Sequence, residues 1–169
     1  MSLPARIALV GFMGSGKTTV GRLLAERIGY DFVDSDDEVV ARAGLSVADV
    51  FRVHGEALFR ELEQDAVRHL LQADRRVIAT GGGAFARPSC AEDLLARSFT
   101  IHLSCDFTEA IRRAAREGGR PLVDQGETEA AALYAARKDK YARAHATVDT
   151  TSLSPEEAVA GVLRLLSAP

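Results

Sequence analysis

Gly11, Gly14, Gly16, Lys17 and Thr18, with Phe12, Met13 and Ser15 between them, fill the pattern G-x-x-x-x-G-K-[ST] at every fixed position. The chemistry of such a stretch is phosphate binding, because only glycine-rich backbone curls tightly enough to aim successive N–H groups at one anion. Lys17 adds a point charge for the outer phosphates, and the Thr18 hydroxyl is placed to ligate the Mg²⁺ that accompanies a nucleoside triphosphate. Gly14, Ser15, Gly16, Lys17, Thr18 and Thr19 are therefore expected around the nucleotide.

The ion needs a further acid at the end of another strand. Arg76-Val77-Ile78-Ala79-Thr80 reads as a strand but ends in Gly81-Gly82-Gly83, with no acid. Asp34, at the end of the strand Tyr30-Asp31-Phe32-Val33, is the best-placed carboxylate, and Asp36 follows it in the cluster Asp34-Ser35-Asp36-Asp37. Helix capping accounts for one of these acids. The bare backbone of Gly81, Gly82 and Gly83 can present N–H groups to a substrate oxygen at the same edge.

Three arginines complete the set. Projected at about 100° per residue, Glu56 to Leu71 gathers Glu61, Gln64, Asp65, Arg68, His69 and Gln72 on a polar arc. Phe59, Leu62, Ala66, Val67, Leu70 and Leu71 take the core arc, with Arg60 and Glu63 inside it. Two charges on a buried face require partners; three residues apart, they can pair with each other, or Glu63 can hold Arg60 toward an anionic ligand. Arg120 opens a turn-rich break between helices that can close over a reacting nucleotide and neutralise charge on the transferring phosphoryl group. Arg137 begins a charged helical face that, taken alone, reads as solvent-exposed.

The elements that position these residues alternate. Arg6–Val10 is a short β-branched run before the loop; Val20, Leu23, Leu24 and Ile28 recur at helical spacing until Gly29. Phe99–Leu103 and Ala146–Asp149 supply further strands, and helices follow Pro88, Asp106 and Ser154. Strands alternating with helices predict a parallel sheet with ligands at the carboxyl ends of its strands. Between the second and third strands lies a helical insertion, from about Asp36 to Ala73, divided by Gly44 and Gly55.

The chain has 169 residues, enough for one domain with a real core, and 47% of them are apolar. A net charge of -3 gives no electrostatic footprint for nucleic acid, no apolar run reaches bilayer length, and Met1-Ser2-Leu3-Pro4 is too plain for a signal peptide. A cytoplasmic protein with no membrane partner is expected. Cys90 and Cys105 read as reduced structural thiols, and His54, His69, His102 and His145 lack metal-ligand spacing.

Taken together, the chain resembles the shikimate kinases over nearly its whole length. The likeness rests on Gly11 to Thr18, Asp34-Ser35-Asp36, Gly55-Glu56 with Phe59-Arg60 and Glu63, Gly81-Gly82-Gly83, Arg120-Pro121-Leu122, and the Arg137 to Tyr141 spacing. It implies a three-layer P-loop kinase fold, related to nucleoside monophosphate kinases: a five-stranded parallel sheet flanked by helices, with a substrate-binding helical insertion (34–73) and a lid (118–130). Residues 1–169 would form a single kinase domain. The implied reaction is transfer of the ATP γ-phosphoryl group to the 3-hydroxyl of shikimate, in aromatic amino-acid biosynthesis, with Mg²⁺ as cofactor and a monomer as the working unit. By motif, Lys17, Asp36 and Arg120 would be catalytic, with Asp36 the base. Thr18 and Asp34 would hold the metal; Arg113 and Arg120 would join the ATP site. Asp34, Asp36, Arg60, Glu63, Gly81, Gly82, Gly83 and Arg137 would bind the acceptor, Arg60 and Arg137 gripping its carboxylate. Asp139 departs from the proline common after the substrate arginine. Rival expectations are a kinase for gluconate or a nucleoside monophosphate, and a nucleotide-dependent switch without transfer chemistry.

Overall fold

A computed structural model describes residues 3–117 and 126–167. Five strands, β1 (Arg6–Val10), β2 (Asp31–Asp34), β3 (Arg76–Ala79), β4 (Phe99–Ser104) and β5 (Ala146–Asp149), form one sheet in the order β2-β3-β1-β4-β5. Every pairing is parallel. Among the described residues the helices are α1 (Lys17–Ile28), α2 (Ser35–Ala43), α3 (Val47–Leu70), α4 (Pro88–Arg97), α5 (Phe107–Glu117), α6 (Glu127–Tyr141) and α7 (Pro155–Ser167).

The unbroken apolar run of β1 follows from burial on both faces. Ile7 and Leu9 point into a cluster with Val20 and Leu24 of α1 and Val159 and Val162 of α7. Ala8 and Val10 point oppositely, toward Val67 and Leu70 of α3, Leu94 of α4 and Ala110 of α5. Two half-cores thus sandwich the sheet, three layers in all. A separate cluster of Val39, Val50, Phe59 and Ala66 holds α2 against α3, so the insertion has its own small core.

Register decides where chemistry can gather. Asp34 pairs with Ala79, Leu9 with Ala79 across the other side, and Val10 with His102. β1, β2 and β3 therefore end within one residue of one another, while β4 runs two residues past the partner of Val10, and the phosphate loop, the acidic cluster and the triple glycine emerge side by side at one edge.

The expected second strand is shifted by one residue. The Tyr30 N–H donates to the Ala25 carbonyl and so closes the end of α1 instead of entering the sheet, while Asp34 is still paired as strand. In the third strand Thr80 lies just past the assigned end, although its N–H still reaches the Leu9 carbonyl at 3.1 Å. The divisions at Gly44 and Gly55 are present: Gly44 caps α2, and Gly55, at φ 80° and ψ 175°, kinks α3. Ser154 and Glu157 cap α7 reciprocally, each side chain accepting from the other's backbone N–H. Arg120 and most of the lid expected over 118–130 lie outside the described residues.

Candidate functional site: a phosphate loop facing an arginine-lined glycine turn

The loop between β1 and α1 already holds its lysine. Lys17, only 7% exposed, donates from Nζ to the Gly11 and Phe12 carbonyls, each at 2.9 Å. These contacts dry the ammonium and fix it at the mouth of α1, whose N-terminus favours an anion. The Ser15 hydroxyl is buried in the same loop without a partner among the described residues.

Asp34 divides its oxygens between two tasks. Oδ1 caps α2 by accepting from the Asp36 N–H at 2.9 Å, and Oδ2 accepts from the Thr18 hydroxyl at 3.2 Å. A hydroxyl and a carboxylate oxygen side by side are hard donors that suit Mg²⁺ arriving on a triphosphate. Among the described residues no group of three His, Cys, Asp or Glu could hold a metal, but an ion that keeps its phosphates and waters needs only one or two protein oxygens.

Beside the loop lies a cleft of about 360 Å³, lined among others by Gly14, Gly16, Thr19, Arg113, Thr150 and Pro155. Arg113 is fixed in it: Nη2 donates to the Thr150 and Thr151 carbonyls at 2.8 and 3.0 Å, and Nε to Glu109 at 2.6 Å. Hydrogen bonds from Arg112 and Arg113 hold the Glu109 carboxyl down at about 2.

A second cluster is built around the triple glycine. A β-carbon at Gly81 would stand 2.7 Å from Asp36 Oδ1 and 3.2 Å from Glu63 Oε1; one at Gly83 would stand 3.0 Å from both Arg60 Nη1 and Arg137 Nη2. Asp36, Arg60, Glu63 and Arg137, from three different helices, therefore meet the same three residues. Ser35 fixes the turn by accepting from the Gly81 N–H at 2.9 Å. Arg60 is gripped by Glu63 at 3.0 Å and Glu56 at 3.2 Å, with its guanidinium over the Phe59 ring. The charged face that begins at Arg137 is mostly exposed, as the sequence suggests, but Arg137 itself turns inward; Asp139 sits in an uninterrupted helix.

Three contributors escape sequence reasoning. Arg87 donates to the Arg60 carbonyl at 2.8 Å, and the Thr150 hydroxyl lies within reach of the Ser15 and Ser104 carbonyls at 3.1 and 2.9 Å. Tyr141 donates to the Gly82 carbonyl; burial pushes its phenol up to about 12, against the opposing pull of Arg137, so it remains a donor. Only Tyr141 carried a signal, being four residues from Arg137 and hence on the same helical face.

His102 stacks on Tyr141 at 5.0 Å between ring centres. Burial, and secondarily the Lys17 charge, lower its imidazole from 6.5 to about 4. The folded protein keeps His102 neutral where the unfolded chain takes up a proton, so stability falls as pH drops from 6.5 through 4. Thermal denaturation across that window should show the decline, and His102→Leu should flatten it; an unchanged pH slope in the variant would assign the decline to other groups.

The family model described as shikimate kinase matches residues 13–167. A shikimate kinase from Geobacter sulfurreducens is 41% identical over 164 residues, covering 94% of this chain and 91% of the relative. The solved shikimate kinase from Acinetobacter baumannii in complex with shikimate superposes with a TM-score of 0.91 at 35% identity, covering 98% of this chain and 93% of that one. A gluconokinase from Sinorhizobium meliloti, at 20% identity and a TM-score of 0.64 over 98% of this chain and 95% of its own, shares the fold alone.

Proposed function

The chain belongs to the shikimate kinase family, and we propose that it transfers the γ-phosphoryl group of ATP to the 3-hydroxyl of shikimate, with its own residues in the following roles. The observation that carries the assignment is the meeting of Asp36, Arg60 and Arg137 around Gly81–Gly83, level with the phosphate loop. A base candidate and two guanidinium forks at one turn suit an acceptor with a hydroxyl at one end and a carboxylate at the other.

Lys17, preorganised on its own loop, takes the outer phosphates, and Gly14, Ser15, Gly16 and Thr19 wrap them. Thr18 and Asp34 hold Mg²⁺, which when bound neutralises phosphate charge and orients the transfer. Arg113 lines the nucleotide cleft. Arg60 and Arg137 grip the acceptor carboxylate, with Glu63 behind Arg60 and the triple glycine beside it. Asp36 orients the acceptor hydroxyl and accepts its proton as the hydroxyl attacks. Arg120, on the lid, neutralises charge on the phosphoryl group in a loose transition state. In this reading 34–73 is the substrate-binding insertion of a single kinase domain, and one chain supplies every role. A cytoplasmic setting accords with Cys90 and Cys105, both free and buried. Among the described residues no helix is long and apolar enough to cross a membrane.

The test is ADP release from Mg·ATP with shikimate, set against quinate, gluconate, AMP and no acceptor. Rapid release with shikimate alone is expected. Equal or faster release with gluconate or AMP would overturn the acceptor assignment and leave the phosphate site intact.

A further inference from the structure

Arg87 stands on the short segment that joins the triple glycine to α4, where no motif marks it. Its Nη1 donates to the Arg60 carbonyl at 2.8 Å and lies 3.5 Å from Glu63 Oε2. That same oxygen accepts from Arg60 Nη1 at 3.0 Å. Glu63 is nearly sealed from solvent, with 2% of its side chain exposed, and its other oxygen faces Gly81. One buried carboxylate is thus shared by two guanidinium groups.

The sharing changes the charge that an acceptor meets. Arg60 and Glu63 alone would form a neutral pair, and a buried neutral pair offers an incoming carboxylate little net attraction. Glu56 draws further on Arg60, but its side chain is 69% exposed and its charge is screened by solvent. A second cation on Glu63 restores one net positive charge to the group, whose Arg60 fork approaches Gly83 beside Arg137. The hydrogen bond to the Arg60 carbonyl also ties that turn of α3 to the segment carrying the glycines, so the fork of Arg60 and the triple glycine move as one.

We propose that Arg87 is a positioning and specificity residue for the anionic acceptor, acting by sharing the buried Glu63 carboxylate with Arg60. The proposal rests on the acceptor reading above. In steady-state assays Arg87→Gln should raise the shikimate KM about tenfold or more, with kcat and the ATP KM within about twofold of wild type. Arg87→Lys, which keeps the charge but loses the fork, should fall between, and serves the same comparison if the Gln variant does not fold. Unchanged shikimate KM, or a loss of kcat with no change in KM, would overturn it.

A second measurement needs no acceptor. In thermal denaturation Arg60→Ala should cost little while Arg87 still pairs with Glu63, and combining it with Arg87→Gln should lower Tm by more than the sum of the single shifts, because the buried Glu63 then keeps neither of these two ion-pair partners. Additive shifts would refute the shared carboxylate whatever the substrate. Wild-type protein that releases no ADP with shikimate would instead overturn the acceptor reading, and the thermal cycle would still decide the sharing.

Discussion

Asp36→Asn should lower the turnover of shikimate phosphorylation by about 10²–10⁴-fold, the range for loss of a positioned general base, while ATP binding changes by no more than about twofold. The substitution keeps the side chain's size and its place beside Gly81, where Oδ1 stands 2.7 Å from the β-carbon position. It also leaves the helix cap alone, because the cap is made by Asp34 accepting from the backbone N–H of residue 36, which any side chain retains. What changes is proton affinity: an amide oxygen still accepts a hydrogen bond but does not take the proton from the attacking hydroxyl. The split between turnover and binding is therefore the diagnostic. Calorimetry with ATP, alongside kcat from ADP release, measures both. A variant that turns over within threefold of wild type would sink the base assignment, and a parallel loss of ATP affinity would place Asp36 with Asp34 in metal binding instead.

The division between what was legible and what was not follows sequence distance. β1 and its loop could be read to the residue, because burial on both faces writes a continuous apolar run and phosphate binding fixes glycine spacing. The Arg60–Glu63 pair was legible as two charges out of place on a helical projection, and the structure does pair them. The projection could not show a second cation on Glu63, since Arg87 lies 24 positions on, and only the return of the chain through β3 brings it back. Thr150 is the more extreme case: its hydroxyl meets the Ser15 carbonyl across 135 positions, through the pairing of β5 with β4. The one-residue shift of β2 has a local cause. Tyr30 has strand propensity, but its N–H is claimed by the end of α1, a competition that propensity does not record.

The second large effect is expected at Gly14, and it separates two reasons for glycine that the motif pattern treats alike. Gly14 (φ +73°) and Gly16 (φ +93°) both lie in the left-handed region. Alanine in that conformation costs roughly 1–2 kcal/mol at either site. Their surroundings differ. A β-carbon at Gly16 would meet only Val20 Cγ2, at 3.7 Å, whereas one at Gly14 would sit 2.0 Å from the Ala110 carbonyl oxygen, inside the backbone of α5. No rotamer relieves that overlap, because both atoms belong to fixed backbone. Either the phosphate loop or α5 must shift by about 1 Å, and a displacement of that size can cost about 10²-fold in rate. Because α5 also carries Arg113, the shift disturbs the phosphate cradle and the adjoining cleft together. Gly14→Ala should therefore lower kcat/KM for ATP by about 10²-fold or more and reduce Tm by several degrees beyond Gly16→Ala. Acceptor affinity, which the proposed function assigns to the cluster at Gly83 on another loop, should change little. Equal losses for the two variants would mean that backbone conformation alone explains both glycines. A larger loss at Gly14 would show that the loop's position is set by its contact with α5, so that the phosphate cradle depends on a helix the motif does not include.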